Sequence, residues 1–397
     1  YVPHFSHRLN IVTLTIALSI LSIQKANAET LPGDMNGDYN VNLKDVILSL
    51  QVMAGSNPPI LNLGGDADSD GRLGLAETIY ILQVVAGIRP SIPFNLFAVG
   101  DSISEAEAAE DDIGMTHHES VWSSGYASNY GGNSRSLSEH FSAAYPAVFQ
   151  ANAAGTIDAV FNKAKRGAVM ADRVGQLLGE AGVKGVIQAA AEDTEAGKVG
   201  LLSIMLGSND VCTDSTQETM TDPTLFRTYF ENGLEALSAS PVTRDAHINV
   251  VGIPAIYWLW VAKRGNIWCE WFAWPLVPCQ NLLANADSGQ CDSGVTDSDL
   301  QPDTIFDGDD EICRRRKQFH NDTKIYNTIM ADAVAAYRTS GLLPRIYFTD
   351  IFDIRFYSED VNDGDCFHPS LAGQALLADE TWCRSPWAGE SDSVCQP

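Results

Sequence analysis

Three short polar clusters in this chain each follow an apolar run, and each carries a side chain able to act on an acyl group. Gly100-Asp101-Ser102 follows residues 95 to 99, Gly207-Ser208-Asn209-Asp210 follows 199 to 206, and Asp365 and His368 lie in DGDCFHPSLAGQ, after 345 to 349. A serine at the end of a strand and the start of a helix can be a nucleophile, because backbone N–H groups there point at a developing oxyanion. An asparagine amide can donate to that oxyanion, and a histidine three residues after an aspartate can be a general base oriented by its carboxylate. Taken singly, each has a plainer reading. Asp101 and Ser102 are good helix caps, an asparagine after a strand forms turns, and a lone histidine is structural or solvated. Three such clusters leaving one rim in this order are not independent. They read together as Ser102 the nucleophile, Asn209 the oxyanion donor, Asp365 the orienting carboxylate and His368 the base.

The elements that must position them follow from the apolar pattern. Runs at 95 to 99, 156 to 161, 199 to 206, 247 to 253 and 345 to 349 read as buried parallel strands. Helix-like stretches follow around 169 to 179, 225 to 238, 317 to 338 and 371 to 381. This alternation predicts an α/β fold, a doubly wound parallel sheet with helices on both faces, whose reactive edge is the carboxyl ends of the strands. No G-x-S-x-G occurs, which disfavours a nucleophile-elbow serine.

Composition narrows the function classes. The chain has 397 residues, 45% apolar and 19% charged, with a formal charge of -26. Such acidity argues against nucleic acid, which needs a basic face, and suits either calcium or salty surroundings. The apolar run 11 to 23 follows Arg8 and precedes Ala26-Asn27-Ala28. It reads as a signal peptide over residues 1–28, too short for the about 20 residues of a membrane span. The chain is therefore expected to be secreted, with no permanent membrane span. Eight cysteines, none in a C-x-x-C pair, then favour disulfides over zinc. Cys269 and Cys279 are close enough in sequence to staple one loop.

Residues 34 to 55 and 66 to 87 repeat each other, DMNGDYNVNLKDVILSLQVMAG against DADSDGRLGLAETIYILQVVAG. Asp34, Asn36, Asp38 and Asp45 fall at positions 1, 3, 5 and 12 of a loop, as do Asp66, Asp68, Asp70 and Glu77. This is EF-hand spacing for a hard cation, with Asn40 and Arg72 giving backbone carbonyls at position 7. Position 6 is Gly71 in the second loop but Tyr39 in the first, where Gly37 comes two residues earlier. Each loop leads into an apolar helix, 46 to 54 and 78 to 86. The pair, residues 31–90, resembles a dockerin, a small all-α calcium-binding module that plugs enzymes into cohesin-bearing scaffolds. The resemblance implies two structural Ca2+ sites, Asn42 as a further ligand, and a cohesin-type partner read by Leu43-Lys44 and Leu75-Ala76. A calcium-clipped spacer without a cohesin partner is the alternative.

The larger region, residues 95–397, resembles the SGNH or GDSL hydrolases, with Ser102 in GDSIS, Asn209 in GSND and His368 in DCFH. That resemblance implies a three-layer α/β/α, flavodoxin-like sheet and a glycine after the second strand. Gly167 in FNKAKRGAVMADRVGQL fits it, and Gly155 fits less well. The oxyanion would then be received by the N–H groups of Ser102 and Gly167 and by the amide of Asn209, with no cofactor in catalysis. WSSGYASN, SIMLGSNDVC, GIPAIYWLW and DCFHPSLAGQALLADETW look like a phospholipase-B-like branch. The implied function is a secreted serine esterase acting on carboxylic, first of all lipid, esters. The alternatives are an esterase of acetylated polysaccharide and a non-catalytic calcium-dependent scaffold. Residues 257 to 279 hold five of the eight tryptophans. They leave two readings, a substrate wall or a satellite core fixed by cysteines. The acidic DGDDE at 307 to 311 is either a solvated loop or a further calcium site.

Overall fold

The computed structural model describes residues 31–68, 70–89, 91–93, 95–126, 135–145, 162–171, 182–193, 198–213, 220–284, 311–388 and 393–395. The expected signal segment, the run 156 to 161, most of 169 to 179, Gly155 and the acidic 307 to 310 lie outside these. The chain divides into two compact units, Tyr1–Leu82 and Gln83–Pro397.

In the first unit, the two repeats fold alike. Their helices are Leu43–Met53 and Leu75–Val85, starting about a turn earlier than the apolar runs suggest. The carboxylate at position 12 explains the early start. Asp45 accepts from Asn42 N at 2.8 Å while Asn42 accepts from Lys44 N at 2.9 Å, so the helix opens on a capping box. Glu77 accepts from Gly74 N in the same way. The two carboxylates also reach the loop starts, Asp45 to Met35 N and Glu77 to Ala67 N. The helices meet where the Ser49 hydroxyl donates to Gly74 O at 3.1 Å and bonds the Thr78 hydroxyl. Met35, Val46, Tyr80 and Ile81 are buried in the unit.

The second unit is built on a four-stranded parallel sheet in the order β1 (Leu96–Gly100), β2 (Leu201–Met205), β3 (His247–Val251) and β4 (Ile346–Thr349). The registers pair Val99 with Ile204, Ile204 with Val250, and Val250 with Phe348. Every residue of β1, β2 and β3 is buried, as near-continuous apolar runs require of strands covered on both faces. On the outer side of β1, Asn162 bridges Ala98 in parallel, and Lys165 N donates to Gly100 O at 3.0 Å. The segment leading to Gly167 therefore leaves the same sheet edge as Ser102.

The helices start where their caps dictate. Asp222 accepts from Thr224 N and Leu225 N ahead of helix Pro223–Ala239, and Ser370 accepts from Gly373 N ahead of helix Leu371–Cys383. Helix Glu311–Ser340 begins earlier than the expected 317. Its added turn carries Arg315 and Arg316, which donate to the carbonyls of Asn281, Leu282 and Ala284, with the Arg316 guanidinium 4.0 Å from the Trp260 ring centre. Phe226 stacks on Tyr326 at 4.1 Å and joins this helix to Pro223–Ala239.

The expected staple between Cys269 and Cys279 does not form. Cys212 pairs with Cys279, Cys269 with Cys366, and Cys383 with Cys395. Nearness in sequence is not disulfide geometry. The turns Cys269–Ala273 and Trp274–Leu276 carry the two cysteines to different neighbours. One faces the loop that bears His368 and the other the loop that bears Asn209. The aromatic segment forms no separate satellite core, and none of its tryptophans lines the cavity. Trp258, Trp260 and Trp274 are buried in the main hydrophobic core, whereas Trp268, Trp271 and Phe272 are exposed, and Leu259 and Pro278 line the cavity beside Ser102.

Candidate active site

β1 ends at Gly100, where a Cβ would fall 2.3 Å from Ser104 Oγ and 2.7 Å from Met205 O, so only glycine fits. Asp101 follows, fully buried, and its carboxylate accepts from Ile103 N at 3.0 Å. This caps the short helix Ser102–Glu105 and leaves the Ser102 hydroxyl unused by the cap. The turn is pinned from three sides. Gln374 donates to Ile103 O at 3.1 Å, Asn162 donates to Ser104 O at 2.9 Å, and Trp122 Nε1 donates to Ser104 Oγ at 3.2 Å. The sequence did not single out these three residues for the site, although WSSG and LAGQ contain two of them.

Ser102, His368 and Asp365 form one chain of hydrogen bonds. His368 Nε2 lies 2.8 Å from Ser102 Oγ, and His368 Nδ1 lies 2.6 Å from Asp365 Oδ2. Since a carboxylate only accepts, the ring proton belongs on Nδ1, and Nε2 is left to accept from the serine hydroxyl. Asp365 Oδ1 in turn accepts from Asn362 Nδ2 at 2.8 Å, Phe367 N at 2.9 Å and His368 N at 3.0 Å. Asn362 also accepts from Asp365 N and donates to His368 O. It fixes both ends of the Asp-x-x-His turn, a role invisible in its spacing.

The electrostatics match this tautomer. Burial alone would raise Asp365, but His368 and its hydrogen-bond donors outweigh burial and take the carboxyl down to about 2. Burial disfavours the charged imidazole of His368, yet the Asp365 carboxylate, with Glu107 and Asp101, lifts its pKa above the ordinary value. The aspartate therefore stays ionised while the histidine titrates.

Gly167 and Asn209 complete the rim. Gly167 has φ +70°, a left-handed turn in which a side chain would be strained. Asn209 stands in the short helix Ser208–Val211, after Gly207, whose φ is +124° and whose absent Cβ leaves room for Ile253. The Asn209 amide donates to Ala168 O at 2.9 Å, and Asp210 Oδ2 accepts from Met170 N at 2.7 Å, so the Asn209 helix holds the Gly167 turn directly. Burial pushes Asp210 up to about 7 and Asp101 up to about 6 despite these hydrogen bonds. Ser102, Gly167, Asn209 and His368 all line one cavity of about 240 Å³. Ile103, Ile256, Leu259, Pro278 and Phe367 make its apolar wall, and Glu107 and Arg166 its polar side.

The two repeated acidic loops close on their own backbones. In the first loop Asp34 accepts from the amides of Gly37, Asp38 and Tyr39, and in the second Asp66 accepts from Gly71 N. Tyr39 takes φ +61° and Gly71 φ +77°, so a tyrosine adopts the left-handed position the glycine holds in its repeat. The carboxylates of Asp66, Asp68 and Asp70 offer oxygens within 4.8 Å of one another. Burial, with Asp34 and Asp38 nearby, lifts Asp45 to about 6. Like charges drawn this close, on oxygen donors alone, fit a hard cation.

Residues 96–381 match the family described as GDSL-like lipase/acylhydrolase. No curated protein matches the chain.

Proposed function

The chain belongs to the GDSL-like lipase/acylhydrolase family and is a hydrolase acting on ester bonds, and from that premise we propose that it is a secreted serine esterase using Ser102, His368 and Asp365. The observation that carries this reading is the unbroken chain Asp365–His368–Ser102 opening on an apolar cavity. Ser102 Oγ attacks the ester carbonyl and gives its proton to His368 Nε2, while Asp365 stabilises the imidazolium. The oxyanion is received by the N–H groups of Ser102 and Gly167 and by the Asn209 amide, which gives one hydrogen to Ala168 O and the other to the new charge. The alcohol leaves with the proton from Nε2, and water then releases the acid. The sheet is read as the three-layer, doubly wound α/β/α arrangement, with the reacting loops at its carboxyl edge.

The cavity wall favours an acyl chain over a sugar ring, and its volume suits one short chain. Exposed Trp268 and Trp271 favour the second reading, an esterase of acylated carbohydrate, because aromatic faces also stack on sugars. A series of p-nitrophenyl esters of rising acyl length separates the two. Rates that rise beyond acetate support the lipid ester, and a sharp preference for acetate supports the carbohydrate ester.

The pH dependence follows from His368. Its base form is needed, so kcat/KM is expected to fall as the pH drops through a midpoint above 6.5. Asp365, held at about 2, adds no second limb in this range. A profile flat down to pH 5 would count against His368 as the base.

Residues 31–90 are read as a dockerin-like module. Asp34, Asn36, Asp38, Asp45 and the carbonyl of Asn40, with Asn42, would hold one Ca2+. Asp66, Asp68, Asp70, Glu77 and the carbonyl of Arg72 would hold the second. A cohesin-type partner is supported by apolar residues left exposed at matching repeat positions, Leu43 with Leu75, Ile47 with Ile79, and Leu50 with Leu82. Metal binding there contributes folding energy. A calcium chelator is therefore expected to melt this module, followed by circular dichroism, while ester cleavage continues at its initial rate. Immediate loss of cleavage with the hydrolase unit intact would contradict a purely structural role. Export is supported by three disulfides among the described residues. No described helix is long and apolar enough to cross a membrane.

A further inference from the structure

A second carboxylate reaches the reacting atoms. Glu107 lines the cavity, and its Oε2 lies 3.9 Å from His368 Nε2, the atom that also faces Ser102 Oγ. Its backbone is fixed on both sides, between two fully buried alanines. Ala106 and Ala108, on either side, take φ +52° and +57°, left-handed conformations that alanine adopts only under constraint. Glu107 N donates to Ser102 O at 3.1 Å, Ala108 N donates to Met115 O at 2.9 Å, and Glu107 bridges Thr116. The side chain is held as well. Arg166 Nη1 lies 3.3 Å from Glu107 Oε1, and Arg166 Nη2 donates to Gly114 O at 2.9 Å. With Oε1 taken by the guanidinium, Oε2 is the oxygen presented beside Nε2.

We propose that Glu107 is a catalytic residue of the second half-reaction, which positions the water that hydrolyses the acyl-enzyme. This rests on Ser102 being the acylated group. Two acceptors 3.9 Å apart can each take one hydrogen of a single water, one bond to Nε2 and one to Oε2. Held so, the water directs a lone pair at the acyl carbon. In the step itself, the water oxygen bonds to the acyl carbon as one of its protons passes to Nε2. The C–Oγ bond then breaks, Oγ takes that proton from Nε2, and the carboxylic acid leaves. No other co-reactant is needed. An alcohol has one hydroxyl hydrogen and can satisfy only Nε2. Glu107 therefore favours water over alcohol as acyl acceptor and makes the enzyme a hydrolase rather than a transferase. The first half-reaction uses no water, so Glu107 enters acylation only through its charge beside His368, which acts on both half-reactions alike.

The test is the partition of a p-nitrophenyl butyrate acyl group between water and added methanol, read as the ratio of methyl ester to acid. Glu107→Gln and Glu107→Ala are expected to raise that ratio about 10-fold or more, because a misplaced nucleophile loses up to roughly 100-fold in rate. Labelling of the active serine by a fluorophosphonate, at a pH above the titration of His368, is expected to fall much less than hydrolysis, because loss of the Glu107 charge weakens the base in both half-reactions whereas loss of the held water touches only the second. A labelled variant with an unchanged ratio overturns the proposal, as does an equal fall in labelling and in hydrolysis. Should neither Glu107 variant fold, Arg166→Met frees the carboxylate from its anchor and is expected to shift the ratio the same way. An unshifted ratio there overturns the proposal too. Failure of the underlying reading is distinct: the wild type would then yield no butyryl adduct on the peptide containing Ser102 after acid quench.

Discussion

Asp365→Asn is expected to lower kcat by about 10⁴-fold, roughly 5 kcal/mol of barrier, with little effect on KM or on thermal stability. The shape of the residue is preserved, and an asparagine carbonyl can still accept from Asn362 Nδ2, Phe367 N and His368 N as Oδ1 does. What changes is the atom facing His368 Nδ1. An amide nitrogen there donates, so the imidazole must carry its proton on Nε2 and can no longer accept from Ser102 Oγ. The charge that lifts His368 is also lost, so the remaining activity should show its acid limb at lower pH. Steady-state kinetics across pH check both effects. A loss below about 10-fold would mean that Asp365 does not set the tautomer.

The largest effect is expected for Ser102→Ala, a fall in kcat on the order of 10⁶-fold. The residual rate over water would come from binding and the oxyanion donors. The fold should survive, because the turn is held through other groups. Gln374 and Asn162 bond the carbonyls of Ile103 and Ser104, Asp101 caps the turn through Ile103 N, and Glu107 N bonds the carbonyl of residue 102, which alanine keeps. A melting temperature within a few degrees of the wild type, beside a rate reduced to background, is the expected pair of results. Substantial ester cleavage by the folded variant would remove Ser102 from the chemistry.

How much of this was legible in the sequence depended on how local each cause was. The four strands stand within about two residues of the apolar runs that suggested them, because a strand buried on both faces is written as a continuous apolar stretch. Ser102, Asn209, Asp365 and His368 meet in one cavity wall and its hydrogen-bond chain, since Ser102 and Asn209 sit just past β1 and β2, whose ends a parallel sheet aligns, and the longer loop after β4 brings Asp365 and His368 back to that edge. Contacts set across the chain were not legible. Gln374 and Trp122 hold the serine turn over large sequence separations, and nothing in LAGQ or WSSG names their partners. The cysteine pairing was misread for the same reason: Cys269 and Cys279 are neighbours in sequence, but their segment turns between them toward two different loops. That pairing has a mechanical consequence. The loop after Asn209 and the loop before His368 are bonded to one aromatic segment, which also supplies Leu259 and Pro278 to the cavity. Glu107 lies in a run of acidic and alanine residues, SEAEAAED, that carries no motif. Its placement depends on two alanines in left-handed conformations, which no propensity would suggest.

The central claim, that Ser102 is the nucleophile of an ester hydrolase, is tested most directly by fluorophosphonate labelling followed by peptide mass mapping. The expected result is one phosphonyl group per chain on the peptide containing Ser102, formed with or without chelator and absent from Ser102→Ala. A folded, ester-cleaving protein that takes no label, or takes it on another serine, would contradict the claim.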